Sequence, residues 1–135
     1  MNVLETIPST LQELDPGPER IGAHWFSPAP MSVRQLAQAM KNCSARFVTI
    51  TAYQLPRDEG LCLEYVWDLD GALLAFPFRL AAESIETIYD ICEAADWIER
   101  EVHEGFAIDF NGRAYEPLLL REGDRIGVNL REEVK

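Results

Sequence analysis

Glu99, Arg100, Glu101, His103 and Glu104 put carboxylates, a guanidinium and an imidazole within six consecutive residues. Such a set could move protons, hold a cation or grip another polypeptide. General acid–base work needs two carboxylates whose surroundings separate their pKa values, one of them in an apolar pocket. No pocket is marked here. His103-Glu104 is not an HExxH motif, because residue 107 is Ala and no second His follows. There is no GxSxG and no Ser or Cys nucleophile with a nearby His, and the eight glycines are scattered rather than gathered into a phosphate loop. Cys43, Cys62 and Cys92 form no CxxC pair and only His24 and His103 could join them, so no metal site or iron–sulfur cluster is readable and no cofactor is expected. The expectation is a chain that catalyses nothing alone. The alternative is a small stand-alone hydrolase or isomerase using His103 and an acid.

The same residues suit docking. Asp96 and Glu104 each lie four residues from Arg100, which gives surface pairs worth a few tenths of a kcal/mol. Acids near a helix C-terminus oppose the macrodipole at a cost of about 0.3–1 kcal/mol each, unless positive charge sits there. Arg100 supplies part of that charge, and a basic neighbour on another chain could supply the rest. Twelve basic against twenty-three acidic residues give a net charge of -11, which repels phosphate backbones and anionic lipid heads. Nucleic acid and direct membrane insertion are therefore excluded as partners; a basic protein surface is the complement. A free acidic protein-binding module is a further alternative. The start of the chain shows no signal-peptide pattern, and no window approaches the roughly 20 apolar residues of a membrane span. Free thiols in element interiors point to a reducing compartment, so a cytoplasmic protein is expected.

The 135 residues, 47% of them apolar, suit a single α+β domain: an antiparallel or mixed sheet of about four strands with helices on one face. Residues 1–20 read as peripheral, with a helical turn or two over 9–14 stopped by Asp15-Pro16-Gly17-Pro18. Ile21–Phe26 suits an edge strand. Ser32 caps a helix carrying Val33, Leu36, Ala37 and Met40 at helical spacing, with Asn42 as a stop. From Arg46 the period becomes two, with Val48, Ile50 and Ala52 opposite Phe47, Thr49, Thr51 and Tyr53. Leu61, Leu63, Tyr65, Trp67 and Leu69 share a face of the next strand, and Asp70-Gly71 predicts a hairpin into Ala72–Leu80. Pro77 marks that third strand as an edge or a bulge, and the aromatic set Tyr65, Trp67, Phe76 and Phe78 reads as sheet core. Ser84 predicts the start of a helical layer, with Ile85, Ile88, Cys92, Ala95, Val102 and Phe106 inward. The pattern leaves open one long helix or two joined near Cys92. Gly105 suits the end of that layer, and residues 114–135 read as an extended tail.

The ordered run Glu99-Arg100-Glu101-x-x-Glu104 and then Ile108-x-Phe110-x-Gly112 is similar to the signature of the subunit-C (thirty-kilodalton) family of NADH dehydrogenase, complex I. Arg46–Ala52, Leu63–Gly71, Ser84-Ile85, Ala95-x-Trp97, Pro117–Leu120 and Gly127-x-x-Leu130-Arg131-Glu132 extend the likeness over roughly residues 30 to 132. Ala107 replaces a family Gly, Arg113 a His, Asn129 a Pro and Glu132 a Lys. The short length and Glu-Pro-Leu-Leu-Leu look more like the small homologues in membrane-bound energy-converting NiFe hydrogenases. The resemblance implies a cofactor-free structural subunit packed beside a hydrogenase or dehydrogenase large subunit and near the iron–sulfur small subunit. Such a subunit lies at the inner face of the cell membrane through those partners. It implies an interface built from Glu99, Arg100, Glu101, Glu104, Phe106, Ile108, Phe110, Gly112 and Arg131.

Overall fold

A strong hairpin organises the sheet. Asp70 and Gly71 both take positive φ, 51° and 91°, the geometry of a primed two-residue turn, and Gly71 N–H donates to Asp68 Oδ1 at 2.8 Å. The computed structural model describes residues 12–14, 23–28, 31–56, 60–80, 82–116 and 118. Within them β1 (Gln12–Leu14), β2 (His24–Ser27), β3 (Arg46–Gln54), β4 (Leu61–Leu69) and β5 (Ala72–Leu80) form a mixed sheet in the order β1-β2-β5-β4-β3. The antiparallel β3-β4-β5 meander is flanked by β2, which runs parallel to β5. The architecture is α+β, with helices over one face.

Two local readings change at the sheet margin. Gln12–Leu14 pairs with Leu14↔Trp25 and its neighbours as a strand rather than a helical turn, so β2 is not an edge. Three residues just before Asp15-Pro16 cannot close a helical nucleus, and an open strand edge takes them instead. The parallel ladder on β5 ends at Ala75, two residues before Pro77, so the missing proline N–H breaks no bond to β2.

A bulge between Phe47 and Thr49 resets the register of β3. Phe47 therefore turns inward with Ile50, while Val48 is left 39% exposed. Strict alternation predicts Val48 on the face of Ile50. Trp67 is the hub of the core: Phe47 and Phe76 meet it edge-on at 5.5 and 5.9 Å, and Tyr65 stacks on it at 6.1 Å.

Helix α1 (Val33–Asn42) starts where expected. Ser32 Oγ accepts from Gln35 N–H at 3.1 Å and Gln35 Oε1 accepts from Ser32 N–H at 2.9 Å, a reciprocal cap. Val33, Leu36, Ala37 and Met40 are buried on the sheet. The expected helix from Ser84 does not form. Ser84–Glu86 is a strand, β6, paired in parallel with β7 (Asp109–Asn111). The spacing of Ile85 and Ile88 fits a helix, but β-branched Ile85, Thr87 and Ile88 also suit extended backbone, and β7 supplies the partner. A 3-10 turn at Glu93–Ala95 leads into α2 (Asp96–Phe106).

The helix does not stop at Gly105; Ala107 ends it in the left-handed region, φ 56° and ψ 37°. Glycine holds that conformation without the Cβ clash. Ala107→Gly is therefore expected to raise stability by about 0.5–1 kcal/mol, read as a higher urea midpoint at unchanged slope. A midpoint at or below wild type would show that Ala107 carries no strain.

Candidate functional site

Helix phase decides the roles of the acids. Ala95, Glu99, Val102 and Phe106 follow at spacings of four, three and four, and all are buried, so Glu99 lies on the inward stripe. It is 0% exposed. Its Oε1 accepts from Thr87 Oγ1 at 2.5 Å and Arg113 Nη1 at 3.2 Å, and its Oε2 accepts from Ile88 N–H at 2.9 Å. Burial pushes the carboxyl above the usual carboxylate range, and these donors hold it back. Strands β6 and β7 position Thr87, whose N–H donates to the Asn111 carbonyl at 2.9 Å. Arg34 of α1 secures the other side, donating to the Thr87 carbonyl and in a fork to Asp90 at 2.7 and 2.8 Å.

Arg113 closes the cluster from the segment after β7. Its side chain is 7% exposed. Nη2 donates to Asp96 Oδ1, Nη1 reaches the Asp96 carbonyl as well as Glu99, and Nε donates to the Ala114 carbonyl at 3.1 Å. Its guanidinium lies over the rings of Tyr89 and Tyr115, 4.9 and 5.3 Å from their centroids. Burial works against its charge, but Asp96 and Glu99 outweigh that and raise its pKa. Tyr115 in turn lies flat on His103, with ring centroids 3.7 Å apart. Its hydroxyl accepts from Phe110 N–H and donates to the Phe110 carbonyl. Burial pushes that phenol's pKa up. Residues 113–116 thus lie against α2, and beyond them Leu118 N–H donates to Glu104 Oε2 at 2.7 Å.

The docking argument from the macrodipole changes with the helix start. Because α2 begins at Asp96, both Asp96 and Glu99 occupy its first turn, where acids are favoured. Glu104 does lie at the unfavourable end, but the Leu118 N–H compensates it. Of the expected interface, Glu99, Glu104, Phe106, Ile108 and Phe110 are buried within the chain. Arg100 is largely covered, donating to Asp96 Oδ2 at 3.3 Å while Arg113 takes Oδ1. Glu101 and Gly112 face solvent, and Arg131 lies outside the described residues. His103 gives Nδ1–H to the Ile108 carbonyl at 2.9 Å. Tyr89, Asp96, Arg100, Arg113, Ala114 and Glu116 line a polar cleft of about 260 Å³; His103 does not line it. The inward stripe read from sequence omits Glu99, although its spacing from Ala95 and Val102 is the signal that places it there. Arg113, Asp96, Thr87 and Tyr115 came together only through the chain reversal at Ala107.

The profile of the family described as respiratory-chain NADH dehydrogenase, 30 Kd subunit, matches residues 27–135. The chain belongs to that family. Solved structures share the fold of this 30 Kd-type subunit. Nqo5, solved as a trypsin-resistant fragment, is 20% identical with a TM-score of 0.59, covering 78% of this chain and 89% of that one. A chain of the membrane-bound sulfane sulfur reductase, an archaeal respiratory membrane complex, is 24% identical with a TM-score of 0.64, covering 83% and 68%. No curated protein matches by sequence. Among the described residues of this family member, no helix is long and apolar enough to cross a membrane.

Proposed function

We propose that this 30 Kd-type chain is a non-catalytic assembly subunit of a membrane-associated redox complex of the NiFe hydrogenase or NADH dehydrogenase kind. It docks on the large subunit, near the iron–sulfur small subunit, and leaves electron handling to them. The family match over residues 27–135 carries this reading. The use of Asp96, Glu99 and Glu104 to hold the chain's own fold supports it, since these acids are committed to structure. The docking face includes Arg100, Glu101 and the Gly112 turn, held in shape by the buried Glu99, Phe106, Ile108 and Phe110; Arg131 lies outside the described residues.

A tagged full-length chain expressed in its native cell is expected to bring down nickel- or iron-bearing subunits from solubilised membranes. Glu101→Lys is expected to cut that recovery about tenfold, equivalent to about 1.4 kcal/mol, with the isolated fold unchanged by circular dichroism. Metal bound to the purified chain itself, or recovery without any redox subunit, defeats the proposal.

A further inference from the structure

Trp97 stands 68% exposed on the outer side of α2, while Trp67 is only 2% exposed. An indole in solvent leaves a large apolar area unburied, and Trp and Arg dominate the centres of protein interfaces. Arg100 lies 5.5 Å over the Trp97 centroid, so a cation already covers one side of the ring. Glu101 is one helical turn beyond Trp97 and exposed, and among the described residues it has no ion-pair partner. The guanidinium of Arg100 is already engaged, by Asp96 at 3.3 Å and by the Glu116 carbonyl at 3.5 Å. What this helix face still offers is an aromatic surface and a carboxylate with no ion-pair partner among the described residues, on a chain of net charge -11. That combination fits a side chain with an apolar stem and a cationic head.

We infer that Trp97 and Glu101 form the centre of the docking face and take an arginine or lysine side chain of the partner subunit. The stem lies on the indole and the head pairs with Glu101. This rests on the assembly role proposed above, and the tests separate the two.

In the first test the 15N-labelled full chain is titrated with three blocked peptides differing only in carrying arginine, leucine or glutamate. The Trp97 Nε1–H resonance is expected to move saturably with the arginine peptide alone, and the Trp67 resonance to stay. Glu101→Gln is expected to reduce that response about fivefold. No movement with arginine, or an equal response to leucine or glutamate, overturns the basic occupant. In the second, Trp97→Ala is expected to lower recovery of the redox subunits about tenfold, and Trp97→Phe by less than threefold. Both substitutions are at an exposed position and leave the fold intact. If wild type recovers the partners and Trp97→Ala does so equally, the assembly role stands and Trp97 is not its centre. If wild type recovers none, both fail.

Discussion

Arg113→Ala lowers unfolding free energy by about 3–5 kcal/mol, the usual cost of deleting one partner of a buried ion pair. For a domain of 135 residues that corresponds to a thermal midpoint roughly 10–18 °C lower. The loss arises because Glu99 remains at 0% exposure with no cation beside it. Asp96 also loses the donor that ties it to the segment after β7, and Tyr115 loses the guanidinium beside its ring. Replacing Glu99 by Leu and Arg113 by Met together is expected to recover only part of the loss: paired apolar substitutes avoid the desolvation of both charges, but Ile88 N–H and Thr87 Oγ1 lose their acceptor. Thermal or denaturant unfolding of both variants measures this. A change below 1 kcal/mol for Arg113→Ala would mean that water reaches Glu99 and the cluster is not a structural anchor.

Glu99→Gln costs about 2 kcal/mol at neutral pH, because the amide can present an acceptor on one side only. Thr87 and Arg113 donate to one oxygen and Ile88 N–H to the other, so the variant sets two donors against each other. The pH dependence has a definite sign. Burial raises the folded carboxyl above its unfolded value, near 4.3. The native state then holds the Glu99 proton more tightly than the unfolded chain does. The stability that proton contributes is complete below the unfolded value and is lost as pH rises through the folded one. Glutamine has no such term. The variant's deficit is therefore largest in acid and narrows as pH climbs through the folded value, measured by urea unfolding of both proteins at each pH. A deficit that widens over that range would place Glu99 below the ordinary carboxylate range instead.

The signature acids take on opposite roles in the fold. Glu99 and Glu104 stabilise the chain that carries them, while Glu101 faces solvent beside Trp97. One run of acids along a helix can therefore hold a scaffold and form a surface at once. Substitutions must be read by helix phase: changing Glu99 tests folding, and changing Glu101 tests association.

Sequence alone determined the features set by neighbours along the chain. Asp70-Gly71 predicts a primed turn because both residues accept positive φ. Ser32 and Gln35 satisfy each other's donors within one turn, and alternation along β4 puts Tyr65 and Trp67 on one face. Tertiary structure decided whatever depends on a distant partner. Ser84–Glu86 became a strand because β7 returns beside it, and Phe47 displaced Val48 because a bulge shifted the ladder. Arg113 found Asp96 and Glu99 because the chain reverses at Ala107. Periodicity records which face a side chain takes, whereas the identity of the group opposite depends on where the backbone returns.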